Sequence, residues 1–229
     1  MKRIEDPGFD SLMGRWQALG VVLECVPFAL EGADGRDRGV HRAAALATLE
    51  DIRINTTAWS EAVTLRYPPS QRPEAGYYGM WIEPDLLGDG EPVEKEAFIG
   101  PYCDLQGRRL LMRGTAKNHP HDLFWFGDPE TPRHRVPPPT RKHANGSFTD
   151  AYLDPPYGLS GTPAERNAAF FDALDLLFDG LRGDCTIHRW SDAASNYFDD
   201  GREWWGTHFW TVHASGADRI VGVVASATD

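Results

Sequence analysis

The chain has 229 residues, 41% of them hydrophobic, and a formal net charge of −11. That supplies a sizeable core, yet no apolar run approaches the ~18 residues that a membrane span needs. The negative charge repels a phosphate backbone, which argues against a nucleic-acid partner, and attracts basic proteins.

Residues 1–10 carry Glu5 and Asp6 and no apolar stretch, so no secretory leader is expected and a cytoplasmic home follows. Cys25, Cys103 and Cys185 are odd in number and form no CxxC pair, which suits buried free thiols in a reducing compartment. In chain order, Phe9, Leu12, Met13 and Trp16 fall at helical spacing over 9–19, and 21–30 reads as a strand. A glycine-rich turn at 32–39 precedes a helix over 41–50. Residues 59–67 alternate around Val63 and Leu65 and read as a strand ended by Pro68 and Pro69. Further strands are expected at 77–82, 97–102, 109–113 and 123–126, with turns at 88–92 and 104–107. Residues 128–146 are rich in proline and arginine and read as a long surface loop.

The clearest element is a helix over 163–182. Thr162 is its N-cap, Pro163 suits the first position and Glu165 completes a capping box. Phe170, Phe171, Leu174, Leu177, Phe178 and Leu181 make one apolar face, and Asp172, Asp175 and Asp179 line the other. A β-hairpin follows, with strands at 206–212 and 220–225 and a turn around Gly216. Apolar residues on both faces place it centrally in the sheet. Together these elements predict a single α+β domain with a mixed or antiparallel sheet.

An aromatic run near the end holds Trp190, Tyr197, Phe198, Trp204, Trp205, Phe209 and Trp210, interleaved with Asp199, Asp200, Arg202 and Glu203. Tryptophans beside charged groups suit a partner interface, and they also line small-molecule pockets. The candidate partner-binding residues are Asp172, Asp175, Asp179, Asp199, Asp200, Glu203, Trp204 and Trp205, and no cofactor is expected. Two enzyme readings stand beside this one. His119 and His121, two apart with Asp122 adjacent, would share a face on a strand and hold a metal ion for hydrolysis. The string LDPPYG, containing Asp154, Pro155, Pro156 and Tyr157, resembles the catalytic motif of amino-group DNA methyltransferases. That resemblance implies S-adenosylmethionine, an Asp that bonds the target amine and a Tyr that stacks on a flipped base. It also implies a glycine-rich loop after a strand, which this sequence lacks.

The tail SDAASNYFDDGREWWGTHFWTV, with the earlier TAWSEAVTLRY, resembles immunity proteins of bacterial polymorphic toxin systems. The resemblance implies a cytoplasmic α+β antidote that binds a cognate basic toxin domain and blocks it by steric and electrostatic occlusion.

Overall fold

The computed structural model describes residues 1–74, 79–113, 123–125 and 146–227. Its centre is a six-stranded sheet in which every strand pairs antiparallel with its neighbours. In chain order these strands are β1 (Lys2–Arg3), β2 (Glu24–Ala29), β3 (Glu91–Pro92), β7 (Cys185–Arg189), β8 (Thr207–Ala214) and β9 (Arg219–Ser226). In space they run β1-β2-β9-β8-β7-β3. The expected C-terminal hairpin is therefore the middle of the sheet, and all eight residues of β8 are buried. Gly216 turns the hairpin at φ 88, a backbone conformation open to glycine at little cost. A second, small antiparallel sheet joins β4 (Cys103–Asp104), β5 (Arg109–Arg113) and β6 (Leu123–Trp125).

Helices cover both faces of the main sheet. Alternation along the strands sends Trp210, Val212, Val221 and Val223 to one side. There they meet α1 (Pro7–Leu19), α3 (Lys95–Ile99), α4 (Phe148–Leu153) and α5 (Pro163–Phe178) in one large core. Phe209, Ile220 and Val224 face the other side and pack under α2 (Arg38–Thr64) through Ala44, Ala45, Leu49 and Ile52. Trp16 ties α1 to α5 by donating its indole N–H to the Ala169 carbonyl at 3.1 Å.

The capping box is present at the start of α5. Thr162 N donates to Glu165 at 2.6 Å, and Glu165 N donates back to the Thr162 hydroxyl at 3.3 Å. All six apolar residues expected on the inner face are buried. The helix ends at Phe178, where Asp179 turns left-handed, and a 3-10 turn carries the chain to Leu181. Thr162→Ala is expected to lower stability by about 1 kcal/mol, measured as a lower urea midpoint at unchanged slope.

Two expected strands are helices. Residues 59–64 continue α2, and 95–99 form α3 rather than a strand over 97–102. In α2 the buried first half nucleates the helix, and propagation past Ile52 adds a backbone bond per residue without fresh nucleation cost. In α3 a helical turn sends both Phe98 and Ile99 into the same core, where adjacent strand positions would point apart. Of the strand expected at 77–82, residues 77–78 lie outside the described residues, and Ile82 makes one bridge to Ser195. The loop expected at 128–146 lies outside them up to residue 145.

Candidate ligand pocket and acidic aromatic face

Beneath α2 the sheet carries a buried polar network. His41, fully buried, pairs through Nδ1 with the Thr211 hydroxyl at 2.7 Å and through Nε2 with the Gly35 carbonyl at 2.9 Å. The carbonyl can only accept, so Nε2 carries the proton and Thr211 donates to Nδ1. The Trp190 indole N–H donates to the same Thr211 oxygen at 2.9 Å. The His188 ring lies 4.6 Å from that of His41. Burial, then the neighbouring His188, depresses the His41 pKa to about 4, and burial lowers that of His188 as well. His41 is thus a neutral pin holding α2 to the sheet, with both ring nitrogens engaged.

A pocket of about 130 Å³ opens where β7 ends and β8 begins. Arg189, Asp192, Thr207, His208 and Trp210 are among its lining residues. Arg189 is the cross-strand partner of Trp210, and His208 lies two residues before Trp210, so alternation puts all three side chains on one face. The His208 and Trp210 rings stack at 5.1 Å, and the Trp205 ring meets His208 edge-on at 5.2 Å. Burial, then the Arg189 charge, depresses the His208 pKa to about 4. The Asp192 carboxylate accepts from the Thr207 hydroxyl at 2.6 Å and lies 3.3 Å from Arg202 Nε.

The residues expected to bind a partner fall into two separate groups. On α5 every aspartate already faces arginine from this chain. Asp172 pairs with Arg15 at 2.6 Å, Asp175 pairs with Arg108 at 2.8 Å and Arg182 at 3.0 Å, and Asp179 pairs with Arg219. The Arg108 hydrogen bond holds Asp175 below the usual carboxylate range. Asp179 sits at the Arg219 end of β9, whereas α6 (Asp199–Glu203) lies against its Ser226 end, where a Cβ on Gly201 would meet the Ser226 hydroxyl. Eight strand residues, roughly 25 Å, separate the two. On α6, Asp199 pairs with Arg202 at 2.8 Å, while Asp200 and Glu203 are exposed without an ion pair among the described residues. Trp204 is 53% exposed. Its neighbour Trp205 is half-buried and donates its N–H to the Asp154 carbonyl at 2.6 Å, so it braces α4 against α6.

Among the described residues no site for the enzyme alternatives is assembled. Asp154 caps the C-terminus of α4, and Gly158 N bonds the Pro155 carbonyl at 2.9 Å, which makes DPPY a turn with Tyr157 exposed on it. The antiparallel sheet also offers no parallel-strand crevice of the kind that holds nucleotide cofactors in α/β folds. His119 and His121 lie outside the described residues, and among the described residues no group of three histidine, cysteine or acidic side chains is placed to hold a metal ion. Burial raises all three thiols, Cys103 to about 12, away from the nucleophilic thiolate. No helix among the described residues is long and apolar enough to cross a membrane.

Sequence reasoning did not single out the pocket. The signal available was the two-residue spacing of His208 and Trp210; Arg189 joins them only through strand register. In comparisons with known proteins, no family model, no curated protein and no solved structure matches the chain.

Proposed function

We propose that this chain is a binding protein that neutralises a basic protein partner by covering it, acting as a cytoplasmic toxin antidote. The carrying observation is the face at α6. Trp204 stands 53% exposed beside the carboxylates of Asp200 and Glu203, neither held in an ion pair among the described residues. A large ring that loses water on contact supplies affinity, and flanking charges steer the encounter and fix orientation. The net charge of −11 extends the attraction beyond the contact itself. The α5 aspartates fit this role less well, because a basic partner must compete there with arginines already in place.

Affinity capture from the source cells tests the reading, using wild type, the triple variant Trp204→Ala/Asp200→Lys/Glu203→Lys, and Asp172→Asn as control. A basic protein should co-purify with wild type and control and be lost with the triple variant. Expressed alone that protein should arrest growth, and co-expression of the wild-type chain should restore it. Capture that is equal with all three variants moves the contact off α6. A captured protein whose expression harms no cell removes the antidote role.

A further inference from the structure

Two residues that line the β7–β8 pocket each bury a nitrogen without a hydrogen-bond partner among the described residues, Trp210 at Nε1 and His208 at Nδ1. The residues are 2% and 7% exposed. An indole nitrogen can only donate, and a buried donor left unsatisfied is costly, so this one calls for an acceptor. The His208 ring is neutral at pH 7, since burial depresses its pKa to about 4. In the commoner neutral tautomer Nε2 carries the proton, so Nδ1 keeps a lone pair and calls for a donor. The two rings stack with centres 5.1 Å apart, which brings both demands within reach of one small guest. The ions at the pocket, by contrast, are engaged within the chain. Arg189 has Glu91 at 3.7 Å among its neighbours, and Asp192 accepts from Thr207 and lies 3.3 Å from Arg202. A charged guest would lose its water there without gaining a counter-ion of its own. The space is of ligand size: at about 130 Å³ it approaches an apolar cavity of ~150 Å³ that admits benzene.

We propose that this pocket binds a small uncharged ring with a cis-amide edge, its carbonyl accepting from the Trp210 indole N–H and its ring N–H donating to His208 Nδ1. Such an edge sets one acceptor beside one donor, the complement of the two unmet nitrogens. A ketone or an ether would satisfy the indole and leave Nδ1 bare, and a ring that only donates would do the reverse. A carboxylate offers two acceptors and no donor, and it would share the pocket with the Asp192 carboxylate. A flat ring also suits walls that include the stacked His208 and Trp210 rings.

The test uses the full chain with four probes: α-pyridone, which carries both groups, pyridine, which only accepts, pyrrole, which only donates, and benzoate, which is charged. Indole N–H resonances in a proton–nitrogen correlation spectrum report contact at Trp210, and calorimetry reports affinity. α-Pyridone should shift the Trp210 resonance and bind at least about tenfold tighter than each of the other three. Trp210→Phe keeps a ring and removes the donor, and should weaken α-pyridone and pyridine by about fivefold or more while leaving pyrrole unchanged. His208→Phe removes the lone pair, and should weaken α-pyridone and pyrrole by a similar factor while leaving pyridine unchanged. If neither variant folds, the four probes on the wild-type chain decide. Three results overturn the proposal: a Trp210 resonance unmoved by α-pyridone, which assigns both nitrogens to bound water, another probe that binds as tightly as α-pyridone, or full α-pyridone affinity in a folded variant.

Discussion

Lowering the pH from 6.5 to 4 should strip several kcal/mol from this fold through its buried histidines. His41 and His208 each have a pKa of about 4 in the folded chain, against 6.5 for an ordinary histidine. Between those values the unfolded chain binds protons that the folded chain refuses. Stability therefore falls as pH falls through this window and levels off below about 4, losing about 3 kcal/mol for each histidine. The cause is burial in both cases, and at His41 the wiring adds to it, since a proton on Nδ1 would displace the Thr211 hydroxyl hydrogen. The paired carboxylates give way in a lower range. Asp175, held down by Arg108, contributes stability that persists above the usual carboxylate pKa and is lost only as pH drops beneath it. Urea midpoints across this range, with imidazole titration by NMR, would check the expectation. His41→Gln should start less stable at neutral pH and show a smaller slope, with His208 and His188 supplying the remainder. A wild-type slope near zero between pH 6.5 and 4, or His41 titrating near 6.5, would contradict it.

Gly222→Ala should be the most damaging single-methyl change in the sheet. Gly222 lies in β9 beneath α2, and a Cβ there would fall on the Thr48 hydroxyl, with the Thr48 Cβ at 2.8 Å. Thr48 is fully buried and its hydroxyl donates to the Ala44 carbonyl at 2.8 Å, so it cannot swing away freely. The added methyl must lift α2 from the strand or bend β9. Overpacking of this kind costs about 1–3 kcal/mol, and a rigid backbone on both sides puts the change at about 3. Thr48→Ala removes the hydroxyl and the γ-methyl and should recover part of the loss when combined, giving a coupling of about 1 kcal/mol or more. Gly183→Ala, where a Cβ meets nothing within 4 Å, serves as control and should change stability little. Denaturation of the four Gly222/Thr48 combinations and the control measures these differences. Equal stability of Gly222→Ala and Gly183→Ala would show that α2 does not sit as tightly on β9 as the Thr48–Gly222 contact requires.

Local signals carried the parts of the fold that local chemistry decides. Thr162, Pro163 and Glu165 mark a helix start wherever they occur in that order, and α5 begins there. Gly216 and the two-sided apolar strands mark a central hairpin, and β8 and β9 form it. The misread stretches depended on distant packing. Trp59 and Val63 fit a strand by alternation and a helix by four-residue spacing, and the anchored first half of α2 chose the helix. The candidate site divides in the same way. The acidic face of α5 was visible as Asp172, Asp175 and Asp179, but its arginine partners come from Arg15, Arg108, Arg182 and Arg219, spread along the chain. Arg189 and Trp210 meet only because β7 and β8 pair in one particular register.

The position of β9 bears on how this polypeptide matures. β2 hydrogen-bonds along its length to β9, from Glu24 opposite Val224 to Ala29 opposite Arg219, so the earliest long strand waits for the latest one. During synthesis the apolar sides of β2, α1 and α5 leave the ribosome with no sheet centre to receive them, and closure comes as one late step rather than by stages. A translation stop a few codons before Arg219 would release a chain missing the sheet's inner strand, a natural client for chaperones and proteases.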